Sequence, residues 1–169
     1  MTNKQYSLLS LPVIVAALGF FVDVFDLLLF GIVRKPSFRE LGLSPEEILS
    51  KGELTVTIQL TGMVIGGIIW GIIGDKYGRL KVLFGSILLY SFANIANGFV
   101  HDINWYMVIR FIAGLGLAGE LGAGITLTAE ILPKEKRGLA GTIIATCGVL
   151  GGISAALLSK VITDWRTLY

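Results

Sequence analysis

The sequence predicts an all-α integral membrane protein, a bundle of five transmembrane helices. Of its 169 residues, 54% are hydrophobic and 15% are charged, and its mean hydropathy is +0.78, which argues against a water-soluble domain. Five apolar runs each reach the ~20 residues that a helix needs to cross a hydrocarbon core ~30 Å thick. Because backbone groups in lipid must be hydrogen-bonded within their own segment, each run is predicted to be helical. The alternation typical of a membrane-barrel strand is absent from the sequence.

The predicted spans cover residues 9–33, 54–74, 82–100, 105–132 and 139–159. The first span is longer than the roughly 7–15-residue apolar region of a signal peptide, so an uncleaved helix is expected. A short charged turn joins the second and third spans, which must therefore form a hairpin. Glycines in the second, fourth and fifth spans have spacings typical of close helix–helix contacts. After the fifth span, residues 164–166 are expected to begin another approach to the membrane, so the chain is predicted to stop before a sixth helix.

Residues 34–53 are predicted to form a loop between the first and second spans. Pro36, Gly42 and Pro45 are residues that interrupt regular structure. A short helix is expected over residues 44–49, because Ser44 followed by Glu47 is the pattern of a capping box.

The positions of lysine and arginine predict the orientation of the chain in the membrane. Lys4 and the two basic turns, residues 75–81 and 133–138, lie on one side of the predicted bundle. The turn at residues 101–104, on the other side, has neither lysine nor arginine. We therefore expect a multi-pass protein of the plasma or inner membrane with its N-terminus in the cytoplasm.

The turn between the second and third spans follows the spacing Gly-x-x-x-Asp-(Arg/Lys)-x-Gly-Arg-x-(Arg/Lys). The matching residues are Gly71, Asp75, Lys76, Gly78, Arg79 and Lys81. This pattern resembles the loop between the second and third helices of the major facilitator superfamily of secondary transporters. The resemblance implies a major-facilitator-type helical bundle in two six-helix halves, of which this chain would be the N-terminal one. A small organic solute, membrane lipid and the C-terminal six-helix half are then the expected partners.

The turn between the fourth and fifth spans is similar to a second segment of the same superfamily. Residues 130–138 resemble the Glu-x-x-Pro-x-x-x-Arg-Gly segment that follows the fourth helix of sugar and metabolite porters. In those porters a network of charges joins the two cytoplasmic turns. The residues that this resemblance assigns to a cytoplasmic gate are Gly71, Asp75, Gly78, Arg79, Glu130 and Arg137. The alternative is that the charges only set the orientation of the helices.

Four ionisable residues fall deeper in the predicted spans, namely Asp23, Asp26, Arg110 and Glu120. A charge at the centre of a bilayer costs at least ~2.5–3.5 kcal/mol, so such residues normally face a cavity or a partner. At 1.5 Å per residue, Asp26 lies ~21 Å from the cytoplasmic end of its span and Arg110 lies ~8 Å from the external end of its own. In a ~30 Å core these depths are similar, so the two residues are predicted to pair. Glu120, ~15 Å further along the fourth span, lies too deep to share that pair.

Two further resemblances suggest roles for these four residues. Asp23-Val24-Phe25-Asp26 resembles the Asp-x-x-Asp pattern of aromatic acid:proton symporters, with Val24 in place of the usual glycine. The stretch from Arg110 to Glu120 resembles the fourth helix of metabolite:proton symporters. Both imply proton coupling or substrate binding. An acid without a base nearby is the better proton carrier, so Asp23 is expected to carry the proton, with Glu120 as the alternative. Structural pairing inside the bundle is the other interpretation of all four residues.

The favoured function is secondary active transport of a small organic solute, by proton-coupled symport and alternating access. The alternative is a non-transporting half-transporter that acts as a membrane sensor or an assembly subunit. Residues 114–119 spell Gly-x-Gly-x-x-Gly, but they lie inside an apolar span and not in the βαβ unit that a dinucleotide site requires. A net charge of +2 without a basic tract does not favour nucleic-acid binding. No enzyme activity, metal site or cofactor other than a coupling ion, H⁺ in the favoured case, is expected.

Overall fold

The computed structural model describes residues 10–162 and 164–168 and consists there of five long helices and one short 3-10 helix. The helices are α1 (Leu11–Glu40), α2 (Pro45–Tyr77), α3 (Arg79–Gly98), α4 (Ile103–Ile131) and α5 (Lys134–Val161), and the 3-10 helix is Trp165–Leu168. All five long helices are apolar and long enough to cross a membrane. The predicted all-α membrane bundle is therefore confirmed. Lys4 and Leu9, on which part of the predicted topology depends, lie outside the described residues.

The predicted loop over residues 34–53 is wrong. Helix α1 continues through Pro36 to Glu40 and α2 begins at Pro45, so only residues 41–44 connect them. Proline in a helix interior typically costs ~3 kcal/mol, but Phe38 beyond it is fully buried, and burial of such a side chain contributes ~1.5–3 kcal/mol. The two helix extensions also pack together, because Gly52 of α2 lies against the side chain of Arg34.

The helix that was expected over residues 44–49 is instead the first turn of α2. Its capping box is present as predicted: the backbone N–H of Glu47 donates to Ser44 Oγ at 3.3 Å, and the backbone N–H of Ser44 donates to Glu47 Oε2 at 2.9 Å. At the other end of α2, Gly78 has a φ of +96°, a conformation that favours glycine, and it allows α3 to start at once. The hairpin between α2 and α3 thus turns on one residue.

Helix α4 is the centre of the bundle, and it packs along α2 on one side and along α3 on another, while α1 packs along α5 and α4. Glycines bring these helices to backbone contact. A Cβ atom at Gly62 would lie 2.3 Å from the carbonyl oxygen of Phe111, and one at Gly114 would lie 2.2 Å from that of Gln59. A Cβ at Gly151 of α5 would lie 2.1 Å from the carbonyl oxygen of Phe21. The glycine spacings in the sequence therefore mark real interfaces between α2 and α4 and between α1 and α5.

The 3-10 helix covers one end of the bundle. Trp165 is buried, and its indole N–H donates to the Glu40 carboxylate at 2.5 Å. Arg166 donates to the other oxygen of Glu40 at 3.1 Å and to the carbonyl oxygen of Val100 at 2.6 Å. Hydrogen bonds from the Thr167 hydroxyl and the Arg166 N–H hold the pKa of Asp164 below its usual value. These contacts join the end of α1 to the connection between α3 and α4.

Candidate functional site

A buried ion pair joins α1 to α4, as the similar predicted depths of Asp26 and Arg110 indicated. Arg110 Nη1 lies 2.9 Å from Asp26 Oδ2 and 3.1 Å from Asp26 Oδ1. Arg110 is 0% and Asp26 is 2% exposed. Removal of one partner of such a buried pair strongly destabilises the protein, because the remaining charge is left buried and uncompensated. The pairing predicted from the sequence is present, whereas its role in transport stays a prediction.

Aromatic rings enclose the arginine of this pair. The Arg110 guanidinium lies 4.6 Å from the centre of the Phe30 ring and 6.0 Å from that of Tyr106. Tyr106 in turn packs edge-on against Phe38 at 5.3 Å and lies 6.2 Å from Trp165, measured between ring centres. A cation over aromatic faces gains ~2 kcal/mol or more where water is excluded. The rings therefore fix the guanidinium and cover it on the side of the 3-10 helix.

Asp23 is buried one helical turn from this pair. It is 3% exposed, and neither of its carboxylate oxygens has a hydrogen-bond partner among the described residues. It lies within electrostatic range of Glu120 and Asp26. Burial of an ionised carboxylate without compensation is costly, so a bound proton or another cation would stabilise this arrangement.

Glu120 approaches α1 on the same face as Asp23. Its carboxylate lies against Gly19, where a Cβ atom would be only 2.1 Å from Glu120 Oε1. Gly19 and Asp23 are four residues apart on α1, so both lie on the side of α1 that α4 contacts. Glu120 does not share the Asp26–Arg110 pair, in agreement with its predicted depth. Three buried acids and one buried base thus meet between α1 and α4.

The charged turns meet at the opposite end of α4. Arg79 forms an ion pair with Asp75, and its Nε lies 3.7 Å from Glu130 Oε1. Gly78 immediately precedes the helix that begins with Arg79, and Gly71 lines the same small cavity as Arg79. An ion pair with exposed carboxylates contributes only ~0–1 kcal/mol to stability. The contacts of Arg79 with Asp75 and Glu130 therefore hold these side chains together only weakly.

Arg137 does not join that network among the described residues. Its Nε donates to the carbonyl oxygen of Leu132 at 3.0 Å, and Arg137 lines a cavity between α1, α4 and α5. Of the four charges that the sequence assigned to the gate, the structure therefore brings together Asp75, Arg79 and Glu130.

The sequence reasoning missed two residues that contribute to these sites. Tyr90 of α3 is 3% exposed and lines the cavity that Glu120 and Gly19 also line. The second of these residues is Gly74, which leaves room for the Arg79 side chain, because a Cβ atom at Gly74 would lie 2.7 Å from Arg79 Nη1. A tyrosine or a glycine inside an apolar run is too common to be selected from the sequence alone. No group of three or more His, Cys, Asp or Glu that could hold a metal ion occurs in the part of the chain that the structure describes.

Comparison with known proteins relates the whole chain to transporters. The family model described as Major Facilitator Superfamily matches residues 16–169. A putative metabolite transport protein of Haemophilus influenzae is 37% identical, over 100% of this chain and 41% of its own length. A niacin transporter of Acinetobacter baylyi is 32% identical over 86% of this chain and 32% of its own length. The benzoate transport protein of the same organism is 27% identical, over 93% of this chain and 34% of its own. The chain spans less than half the length of these relatives.

Proposed function

The chain belongs to the major facilitator superfamily, and we propose that it forms the N-terminal half of a transporter that moves a small organic acid by proton symport. The names of the relatives, a niacin transporter and a benzoate transport protein among them, support an organic acid as the solute. In this proposal the five membrane-length helices would supply one side of a pathway. A second six-helix half would supply the other side, and rocking of the two halves about a midplane site would give alternating access.

One observation supports proton coupling above the others: Asp23 is a buried carboxyl group with no hydrogen-bond partner in the described structure, and the nearby Arg110 charge is already paired with Asp26, one helical turn further along α1. A proton on Asp23 would remove its charge when the site is closed to water, and its release would follow when the site opens. Proton binding can bias the transporter only if the two states differ in their affinity for it. Asp23 is thus proposed as the proton carrier and Asp26 as the partner that holds Arg110.

The contacts of Arg79 support a cytoplasmic gate. Arg79 bridges Asp75 at the end of α2 and Glu130 at the end of α4. We place this end of the bundle, and the N-terminus, in the cytoplasm, because the basic turns lie there. The weak pairing within this half suits a gate that must open and close in every cycle.

Asp23→Asn in the full-length transporter, reconstituted in vesicles, tests the proposal. Uptake of labelled benzoate or nicotinate is measured with an inward proton gradient, with a sodium gradient in its place, and as exchange without either. Asparagine imitates the protonated acid, so Asp23→Asn should abolish accumulation and keep exchange. Asp102→Asn is the control, since Asp102 is exposed, caps α4 and can be replaced by asparagine, an equally good cap.

The outcomes separate the parts of the proposal. Accumulation at the wild-type level by Asp23→Asn would place the proton elsewhere, with Glu120 next in order. Accumulation driven by sodium alone would refute proton coupling. A wild-type protein that moves neither benzoate nor nicotinate, by any gradient or by exchange, would refute the proposed transport of these organic acids and favour a sensor or an assembly subunit.

A further inference from the structure

A cavity of about 300 Å³ lies between α1, α4 and α5, close to where α4 ends and α5 begins. Its walls are mainly apolar and include Phe20, Ile125 and Ile144, and its polar lining residues are Thr128 and Arg137. Ligand sites in proteins have this character: apolar walls, a few polar groups and volumes from ~300 Å³ upward. At ~30 Å³ for each displaced water, the volume is that of roughly ten waters, enough for a compound with one ring.

Arg137 lines this cavity and has no carboxylate partner in the described structure. Arg79 and Arg166 also line cavities, but each is paired with a carboxylate. Arg110 is fully buried and holds Asp26. The Arg137 side chain is exposed, and its one described hydrogen bond uses Nε, which leaves both terminal nitrogens for a ligand. Guanidinium groups of this kind bind carboxylates with two parallel hydrogen bonds.

Thr128 is the second polar residue that lines this cavity. A threonine inside a helix can donate its hydroxyl to the carbonyl oxygen four residues earlier, as five others in this chain do, namely Thr55, Thr57, Thr61, Thr142 and Thr146. Thr128 is 5% exposed, and its Oγ1 has no hydrogen-bond partner among the described residues. A buried hydroxyl without a partner costs ~1–3 kcal/mol. Rotation about χ1 exchanges the hydroxyl and the methyl group, and a ligand in the cavity could then accept the hydrogen bond.

We propose that this cavity binds a single-ring aromatic carboxylate, the transported solute, on the cytoplasmic half of its pathway. The carboxylate pairs with Arg137 and accepts a hydrogen bond from Thr128, while the ring packs against Phe20 and the isoleucine walls. The inference rests on the proposed function, because it takes the solute to be a small organic acid. It assigns to Arg137 a role in binding rather than in the gate, and it explains why this arginine is separate from Arg79 and Glu130.

Binding to the purified full-length transporter tests the inference. Affinities for benzoate and nicotinate, and for the uncharged analogue benzamide, are measured by calorimetry. Arg137→Gln should weaken carboxylate binding about tenfold or more, since hydrogen bonds to charged groups are the strong ones, and it should leave benzamide binding unchanged. Arg137→Lys should restore part of the loss, because lysine supplies the charge without the fork of donors.

Filling the cavity gives a second test that leaves Arg137 in place. Gly141 lines the cavity, and a Cβ atom there meets nothing within 4 Å, so Gly141→Leu places its side chain in the open space. The variant should weaken binding of both carboxylates about tenfold. Gly138→Leu is the matched control, since Gly138 lies one turn earlier on α5 with equally open surroundings and does not line this cavity; it should bind as the wild type does.

The results distinguish this inference from the proposed function. If Arg137→Gln and Gly141→Leu bind benzoate and nicotinate with wild-type affinity, or if the wild type binds neither acid, the inference is wrong. Gradient-driven uptake of an organic acid that persists at the wild-type level in both variants would leave the proposed transport intact and place the solute elsewhere. Loss of binding in both variants, with the control unaffected, supports the site.

Discussion

The substitution Gly62→Ala should force α2 and α4 apart. Gly62 is buried at the centre of α2, and a Cβ atom there would stand 2.3 Å from the carbonyl oxygen of Phe111. Contacts of Cβ atoms below 3.0 Å are essentially never observed, so the two backbones must separate by at least 3.0 − 2.3 = 0.7 Å. The obstacle is backbone rather than the end of a flexible side chain, so no change of rotamer relieves it.

The expected loss of stability is the difference of two effects. Overpacking of a close contact costs ~1–3 kcal/mol, and the upper value is taken because the clashing atom is a backbone oxygen, which no change of rotamer can move away. Alanine is better than glycine in a helix by ~0.8–1.0 kcal/mol. The net change in the free energy of unfolding is therefore a loss of about 2 kcal/mol. Gly67→Ala provides the control on the same helix, since a Cβ atom there meets nothing within 4 Å, and it should be neutral or slightly stabilising.

Unfolding of the purified full-length protein in mixed micelles, titrated with SDS and followed by circular dichroism, measures both changes. Gly62→Ala should unfold at a lower SDS fraction than the wild type, and Gly67→Ala at the same or a higher one. Equal midpoints for the two alanine variants would show that the α2–α4 contact is looser than the distances above require, and the argument from backbone contact would fail.

Two further predictions concern the charged groups. Asp26→Asn should lower the free energy of unfolding in the same titration by ~3–5 kcal/mol, because it leaves Arg110 buried without its partner. The double variant Asp26→Asn/Arg110→Gln should lose less stability than Asp26→Asn alone. A larger loss in the double variant would argue against the broken pair as the cause. Asp75→Asn removes one partner of Arg79 and should raise the labelling of cysteines introduced on the cytoplasmic side while it slows turnover more than it weakens binding. Wild-type labelling together with wild-type turnover would remove Asp75 from the gate.

The Asp26–Arg110 pair could be predicted from the sequence because a membrane reduces the possible arrangements of helices. Helices that cross the same hydrocarbon core start and end at known depths, and a rise of 1.5 Å per residue then gives the depth of every side chain. Two opposite charges at one depth in an apolar bundle have a strong reason to pair. The same calculation correctly kept Glu120 away from Arg110.

Other features of the structure depend on side-chain packing, which the depth of a residue in the membrane does not predict. The continuation of α1 through Pro36 rests on the burial of Phe38 and on the contact between Arg34 and Gly52. The approach of Glu120 to α1 depends on Gly19, which has no distinctive neighbours in the sequence. In both cases a tertiary contact decides the local structure. For α1 it overrides the tendency of proline to end a helix, and for Glu120 no local sequence signal indicates the contact.

The charge balance of the buried cluster limits the proposed coupling. Arg110 balances one carboxylate, that of Asp26, so a neutral cluster needs one proton on Asp23 and another on Glu120. Release of one proton leaves one uncompensated charge, and release of both leaves two negative charges that repel each other in a site of low dielectric. We therefore expect one proton to be released per cycle. Asparagine at position 23 keeps the cluster neutral with a single proton on Glu120, so accumulation that survives Asp23→Asn would identify Glu120 as the acid that exchanges it.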